Sequence, residues 1–250
     1  MIKFFRNIRQ QLLSQNRFSK YLLYAIGEIV LVVIGILIAL QINNWNNNNQ
    51  QKKIEIKYLK EIKQNLTKDL DDIDFNIAFN KSKLQSNKIV LKYLNGKINY
   101  TDSLDFHFSN LFFSTRTLAN MSAYENLKSR GLEIITNDSL RQRITKLYEF
   151  DFYNAIDFEM KDDHQFQYQI LIPEVTNSLN ISEFNVENAQ GNINGFAKPI
   201  NSESLMNNYS FRNAIRLNHT LRELMTLIYQ NLKVSVEDCI NQIDHELKNK

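Results

Sequence analysis

The sequence predicts an all-α protein: one N-terminal transmembrane helix followed by an extramembrane bundle of about three long helices plus short helices. Three observations carry this. Only six glycines and two prolines occur in 250 residues, too few for the turn that a sandwich or barrel needs every eight to twelve residues or so. Apolar residues recur at threes and fours over three long stretches, the period of a helix with one buried face. Residues 21–42 form an apolar run whose one charge is Glu28.

The first element is a tail, residues 1–20, carrying Lys3, Arg6, Arg9, Arg17 and Lys20 and no acid. The span that follows, Tyr21 to Ile42, reads YLLYAIGEIVLVVIGILIALQI. At about 1.5 Å per residue it covers about 33 Å, enough for a hydrocarbon core of about 30 Å. A core helix of a soluble domain would show a polar face, and Ile29 to Leu40 has none at any helical spacing. A cleaved signal peptide would carry a shorter apolar stretch and small residues at its cleavage site, whereas Ile38-Ala39-Leu40-Gln41 surrounds one alanine with bulky groups. We therefore read an uncleaved anchor. Basic residues before the span and the neutral NNWNNNNQQ stretch after it place the N-terminus in the cytoplasm. In a bacterium this is a single pass through the inner membrane with the main domain periplasmic. Tyr21, Tyr24 and Trp45 fall where interfacial aromatic belts are expected.

Within the span Glu28, Gly35 and Ala39 stand at i, i+7 and i+11, on one helical face. Two readings of that face stand. Gly35 and Ala39 form a small-xxx-small pair that admits a second helix, from a homodimer or an envelope protein partner, and Glu28 would prefer protein to lipid. Alternatively Glu28 reaches headgroup water near the cytoplasmic boundary and the small residues are incidental. The formal net charge is +3, but beyond the span 25 basic residues face 26 acidic ones. The excess charge is thus a feature of membrane topology, and nucleic acid is not an expected partner.

The block Gly27 to Asn46, GEIVLVVIGILIALQINNWN, with its lead-in MIKFFRNIRQQLLSQNRFSKYLLYAI, resembles a family of small single-span membrane proteins of unknown function common in Bacteroidota. A second block, Ser122 to Leu140, SAYENLKSRGLEIITNDSL, is similar to that family's internal motif. The likeness covers the first fifty residues almost continuously and is looser beyond them. It implies a membrane location and a helical extramembrane domain, and it brings no established activity, cofactor or catalytic residue.

After a polar linker at 43–51, whose asparagines leave open whether the membrane helix continues, the extramembrane domain occupies 52–250. Ile56, Leu59, Ile62, Leu66, Leu70, Ile73, Ile77, Leu84 and Leu91 predict one amphipathic helix over 52–95, stopped by Gly96. A shorter helix is expected over 101–114, on Leu104, Phe108, Leu111 and Phe112. Ser122 and Glu125 have capping-box spacing, Gly131 closes that helix, and Asn137 or Ser139 caps the next. Leu140, Ile144, Leu147, Phe152, Ile156 and Phe166 continue a second long helix to Pro173, which should end it. Residues 178–202 are polar, without period, and read as a mobile loop in which Phe184 and Phe196 would dock on the bundle or, as the less favoured reading, contact a partner. Phe211, Ile215, Leu221, Met225, Ile228, Leu232, Val236, Ile243 and Leu247 define a third long helix from Ser210 to about Lys248.

Chemistry is sparse. Among the four histidines no HExxH or ExxH occurs, so neither the zinc-protease nor the di-iron helical spacing is present. Glu159, Asp162, Asp163 and His164 cluster, and a metal would need help from Asp244, His245 or Glu246; a solvated charged face is the commoner meaning of such a run. Lys128 and Arg130 could line a ligand loop, but the paired end signals of that helix favour a structural role. His219 and Glu223, four apart, pair across a helix surface. Cys239 lies on an apolar stripe, where a buried inert thiol is expected. No GxSxG, P-loop or GxGxxG occurs. The expectation is a non-enzymatic protein without cofactor, an interaction or scaffolding component of the cell envelope. The alternative is a periplasmic ligand sensor relaying through a partner, because about twenty cytoplasmic residues are too few for a signalling domain.

Overall fold

Helix α1 runs unbroken from Phe18 to Leu94 in the computed structural model, which describes residues 18–182 and 197–250. The basic tail up to residue 17 lies outside the described residues, as do Phe184 and Phe196. The chain divides into two compact units after Glu55. In the first, apolar side chains from Leu22 to Ile42 are exposed. The 18-residue window there has a mean hydropathy of 2.6, and none of it is buried within the chain. The helix is therefore long and apolar enough to cross a membrane, and its exposed apolar surface is not that of a core helix. The asparagine-rich stretch at 43–51 is helical, where the sequence suggested a linker. Each asparagine disfavours a helix by only about 0.7 kcal/mol relative to alanine. Propagation between two strong helical segments adds a hydrogen bond per residue without a new nucleus.

The second unit is a helical bundle. Along α1 the buried seam reads Leu59, Ile62, Leu66, Asp69, Ile73, Asn76, Asn80, Lys83, Asn87, Val90 and Leu94, a strict alternation of threes and fours that keeps one stripe facing a partner. Gly96 ends the helix as expected. At φ +68 it donates its N–H to Tyr93 O at 2.9 Å while Lys97 N–H reaches Lys92 O at 2.9 Å, the paired bonds of a Schellman stop. Helix α2, Ser103–Ser109, is shorter than the apolar pattern suggested. Beyond it the chain turns at residues 110–112 and continues without regular secondary structure to residue 121, and Phe113 takes a φ of +67.

Helix α3, Ser122–Arg130, forms without the capping box. Its N-cap is Met121, with no side-chain cap bond, and Ser122 Oγ instead accepts from Asn65 Nδ2 at 3.4 Å. Gly131 closes it at φ +114, a 3-10 turn follows at Leu132–Ile134, and Ile135 is buried. Asn137 caps α4, Asp138–Lys146, by accepting from Leu140 N–H at 3.2 Å.

The second long helical run continues from α4 through a π turn at Leu147–Phe152, α5 at Tyr153–Phe158, π turns at Glu159–His164 and Gln167–Leu171, and α6 at Ile172–Ser178. Its buried positions Ala155, Glu159, Asp163, Gln167, Leu171 and Val175 recur every four residues. A plain α-helix would rotate such a set off its face, and the wider i→i+5 turns hold it inward. Pro173 does not end the run. It falls in the first turn of α6, after a π turn has shifted the hydrogen-bond register, where its missing N–H is tolerated.

At the ends of the 178–202 segment the sequence suggested a loop, and the described residues form a ribbon. Strands β1, Leu179–Ile181, and β2, Ala197–Pro199, pair antiparallel with Leu179 opposite Pro199. Ala197 N–H donates to Ser109 Oγ at 2.9 Å, which ties the ribbon to α2. A short helix α7, Ser202–Met206, leads to α8, Tyr209–Lys248. Asn208 caps α8 by accepting from Phe211 N–H at 3.0 Å. One apolar core gathers Tyr93, Phe108, Leu171, Leu205 and Phe211 at this end.

Candidate functional site

The polar stretch of the α1 seam has a visible task. After a turn and bend at residues 110–112, residues 113–121 form a strap with no regular secondary structure between helices, so no helix or strand ladder satisfies its backbone. Side chains of α1 take that place. Asp69 Oδ1 accepts from Asn120 N–H at 3.0 Å and from its Nδ2 at 2.5 Å. Asp72 Oδ2 accepts from Leu118 N–H at 3.1 Å, and Asn76 Nδ2 donates to Arg116 O at 3.3 Å. Asn80 Nδ2 reaches Thr115 Oγ1 at 3.3 Å. Lys83 Nζ donates to Asn110 O at 2.9 Å and to Phe112 O. As α1 advances, the strap descends, one rung per helical turn.

A second polar layer joins the three long helical runs. Arg222 of α8 is fully buried; it pairs with Asp163 and donates to Asn80 Oδ1 at 2.8 Å. Gln167 Nε2 donates to Asn218 Oδ1 at 2.9 Å, and Asn218 Nδ2 to Asn87 Oδ1 at 3.1 Å. Burial lowers Arg222 to about 10, partly offset by Tyr229. Burial, with Arg222 nearby, holds Lys83 well below the usual lysine range. Burial raises Asp69 and Glu159 above the usual carboxylate range, against the lowering effect of their hydrogen bonds to Asn120 and Thr117.

Between the strap and the π-turned run lies a cleft of about 530 Å³, within the range of small-molecule sites. The strap side is Phe112, Phe113, Ser114, Thr115 and Arg116; the helical side is Glu159, Met160, His164, Gln167, Tyr168 and Ile172. Phe113, Met160 and Tyr168 are exposed, and the His164 and Tyr168 rings meet at 4.4 Å. Beneath them Glu159 is buried: both its oxygens accept from Thr117 N–H, at 3.1 and 2.9 Å, and Oε1 accepts from Thr117 Oγ1 at 2.5 Å. Gln167 Oε1 is buried with no hydrogen-bond partner among the described residues. Positive φ in a bulky residue and π turns are both features that collect at functional sites.

The acidic cluster does not converge on a metal. Glu159 and Asp163 point inward to Thr117 and Arg222, while Asp162 and His164 are exposed. Asp244 pairs with Lys63 at 2.5 Å, and Glu246 accepts from Asn137 at 2.7 Å. Among the described residues no three His, Cys, Asp or Glu are grouped to hold a metal ion. Lys128 forms a surface ion pair with Glu149 at 2.6 Å. His219 and Glu223 pair at 3.7 Å, and Cys239 is buried, as their positions implied. Glu28, Gly35 and Ala39 all lie in α1, with nothing described within 4 Å of a Cβ placed on Gly35.

Reading by apolar residues alone passed over Asn76, Asn80, Lys83, Asn87, Asn218 and Arg222. The signal was present in the three-and-four alternation, which continues through the polar positions without a slip. A family model described as "Family of unknown function (DUF6090)" matches residues 28–215, three quarters of the chain. No curated protein and no solved structure matches.

Proposed function

Starting from a chain that belongs to the DUF6090 family, we propose that its bundle is a ligand-receiving module, a sensor held at a membrane by α1 and relaying through a partner. The cleft carries this reading. It is concave, lined by aromatic side chains over a few polar groups, and built on a strained strap and two π turns. The role is binding without turnover: α1 sits in the lipid bilayer of the bacterial inner membrane, the basic tail is cytoplasmic, and the bundle is periplasmic. Native mass spectrometry of the full chain extracted from its own membranes tests it. A bound small molecule, lost in Met160→Trp, is the expected result. Extraction free of any ligand, with the fold intact, would sink the sensor reading.

One observation favours the interaction or scaffolding reading. Leu217, Leu221, Leu224 and Ile228, spaced four, three and four apart, form a stripe on α8; Leu217 and Leu224 are exposed and the other two half-buried. Beside it a groove of about 390 Å³ includes Phe150, Phe158 and Ile228. Cross-linking in native membranes separates the readings: a reproducible protein partner joined through Leu224→Cys supports this one, and none removes it.

A further inference from the structure

We infer that the cleft beside the strap binds a small molecule bearing an ammonium group on an apolar or aromatic body, with Glu159 as the counter-ion. The inference rests on the ligand-receiving reading and adds the chemical class. Glu159 is 3% exposed and has hydrogen-bond donors in Thr117 and Tyr229 but no cation within ion-pair distance among the described residues. A buried carboxylate without a counter-ion is costly, and burial raises its proton affinity accordingly. The nearby buried cations are committed elsewhere: Arg222 to Asp163 and Asn80, Lys83 to the carbonyls of Asn110 and Phe112.

An ammonium ion entering the cleft supplies what the fold does not. Its N–H groups have acceptors to meet in the Glu159 carboxylate and in Gln167 Oε1, which has no partner among the described residues and belongs to a residue 2% exposed. Asp72 adds negative potential at Glu159. Phe113 and Tyr168 offer ring faces and Met160 a polarizable thioether, the surroundings that hold organic cations elsewhere. Arg116 and His164 stand at the exposed rim, where solvent screens them. They leave room for an acid group on the ligand without competing for the floor.

The experiment is saturation-transfer NMR on the full chain in lipid nanodiscs with 2-phenylethylamine, 2-phenylethanol and 3-phenylpropanoate. Wild type should bind the amine saturably, about 10-fold or more tighter than the other two. Glu159→Gln should remove that margin, and Met160→Trp, at an exposed position, should abolish binding while the melting transition stays in place. Should Glu159→Gln unfold the chain, the ranking of the three probes in wild type decides. Propanoate bound as tightly as the amine and lost in Met160→Trp overturns the ammonium class and leaves the cleft a ligand site. Amine binding unchanged in Met160→Trp, or no binding of any probe to folded protein, overturns both.

Discussion

Arg222→Met tests whether the buried polar layer is a closed network. The substitution leaves Asp163 buried with only Gln167 Nε2, at 3.2 Å, and orphans Asn80 Oδ1, which now accepts from Arg222 at 2.8 Å. Breaking one partner of a buried ion pair costs about 3–5 kcal/mol, of which about 1–3 kcal/mol belongs to an acceptor left unpaired. Against a total stability of roughly 5–15 kcal/mol this makes the bundle marginal, with a Tm lower by roughly 10 °C for a unit of this size. The double variant Asp163→Leu/Arg222→Met removes both charges. It should recover to within about 2 kcal/mol of wild type, because Gln167 keeps Asn218 and the unpaired Arg222 Nε disappears. Urea unfolding of the full chain in nanodiscs, followed by circular dichroism, measures all three proteins. A single-variant cost under about 1 kcal/mol, or a double variant no more stable than the single, would refute the network.

Gly131→Ala should cost about 1 kcal/mol or more, because φ +114 suits glycine alone and the new Cβ would run into the Glu133 carboxylate. Repeating it with Glu133→Ala removes the collision and leaves the backbone strain, so a loss that vanishes entirely in that background contradicts the strain. Burial pushes the Cys239 thiol up to about 12, so alkylation by iodoacetamide should be negligible in the folded chain and complete in urea; rapid native labelling would show the thiolate is accessible. Asp69 and Glu159 have raised proton affinities when folded, so their contributions to stability rise as pH falls through the folded values and shrink at neutral pH. The stability of wild type relative to Glu159→Gln should therefore be greater near pH 4 than near pH 8, and the opposite slope in urea titrations contradicts it. A reporter active only in the periplasm, fused after Lys250, should be active; activity of a cytoplasm-only reporter there reverses the orientation.

Much of the fold was legible because helices announce themselves locally. The three-and-four spacing from Leu59 to Leu94 and from Phe211 to Ile243 marks two buried faces, and Gly96 and Asn137 punctuate ends with bonds that need only their own neighbours. The failures share a cause. Pro173 and the Ser122/Glu125 spacing are breaker and cap by local rule, but Pro173 falls in the first turn after a π turn, and Ser122 lies inside its helix with its hydroxyl accepting from Asn65. A four-residue repeat from Ala155 to Val175 was the trace of those wide turns, visible only once polar residues are admitted to the core face.

The sequence by itself determined the helical class, the apolar segment long enough to span a membrane, and the positions of the long helices, since each follows from periodicity and composition within one segment. Tertiary structure alone decided that Asp69, Asp72, Asn76 and Lys83 hold the backbone of a strap some thirty to fifty residues away, with Asn80 holding its Thr115 side chain. It also decided that Asp163 meets the Arg222 cation while Glu159, four residues away, meets Thr117 and no cation among the described residues. A side chain's polarity is written in the sequence, but whether water, backbone or another charge satisfies it depends on what folding brings alongside.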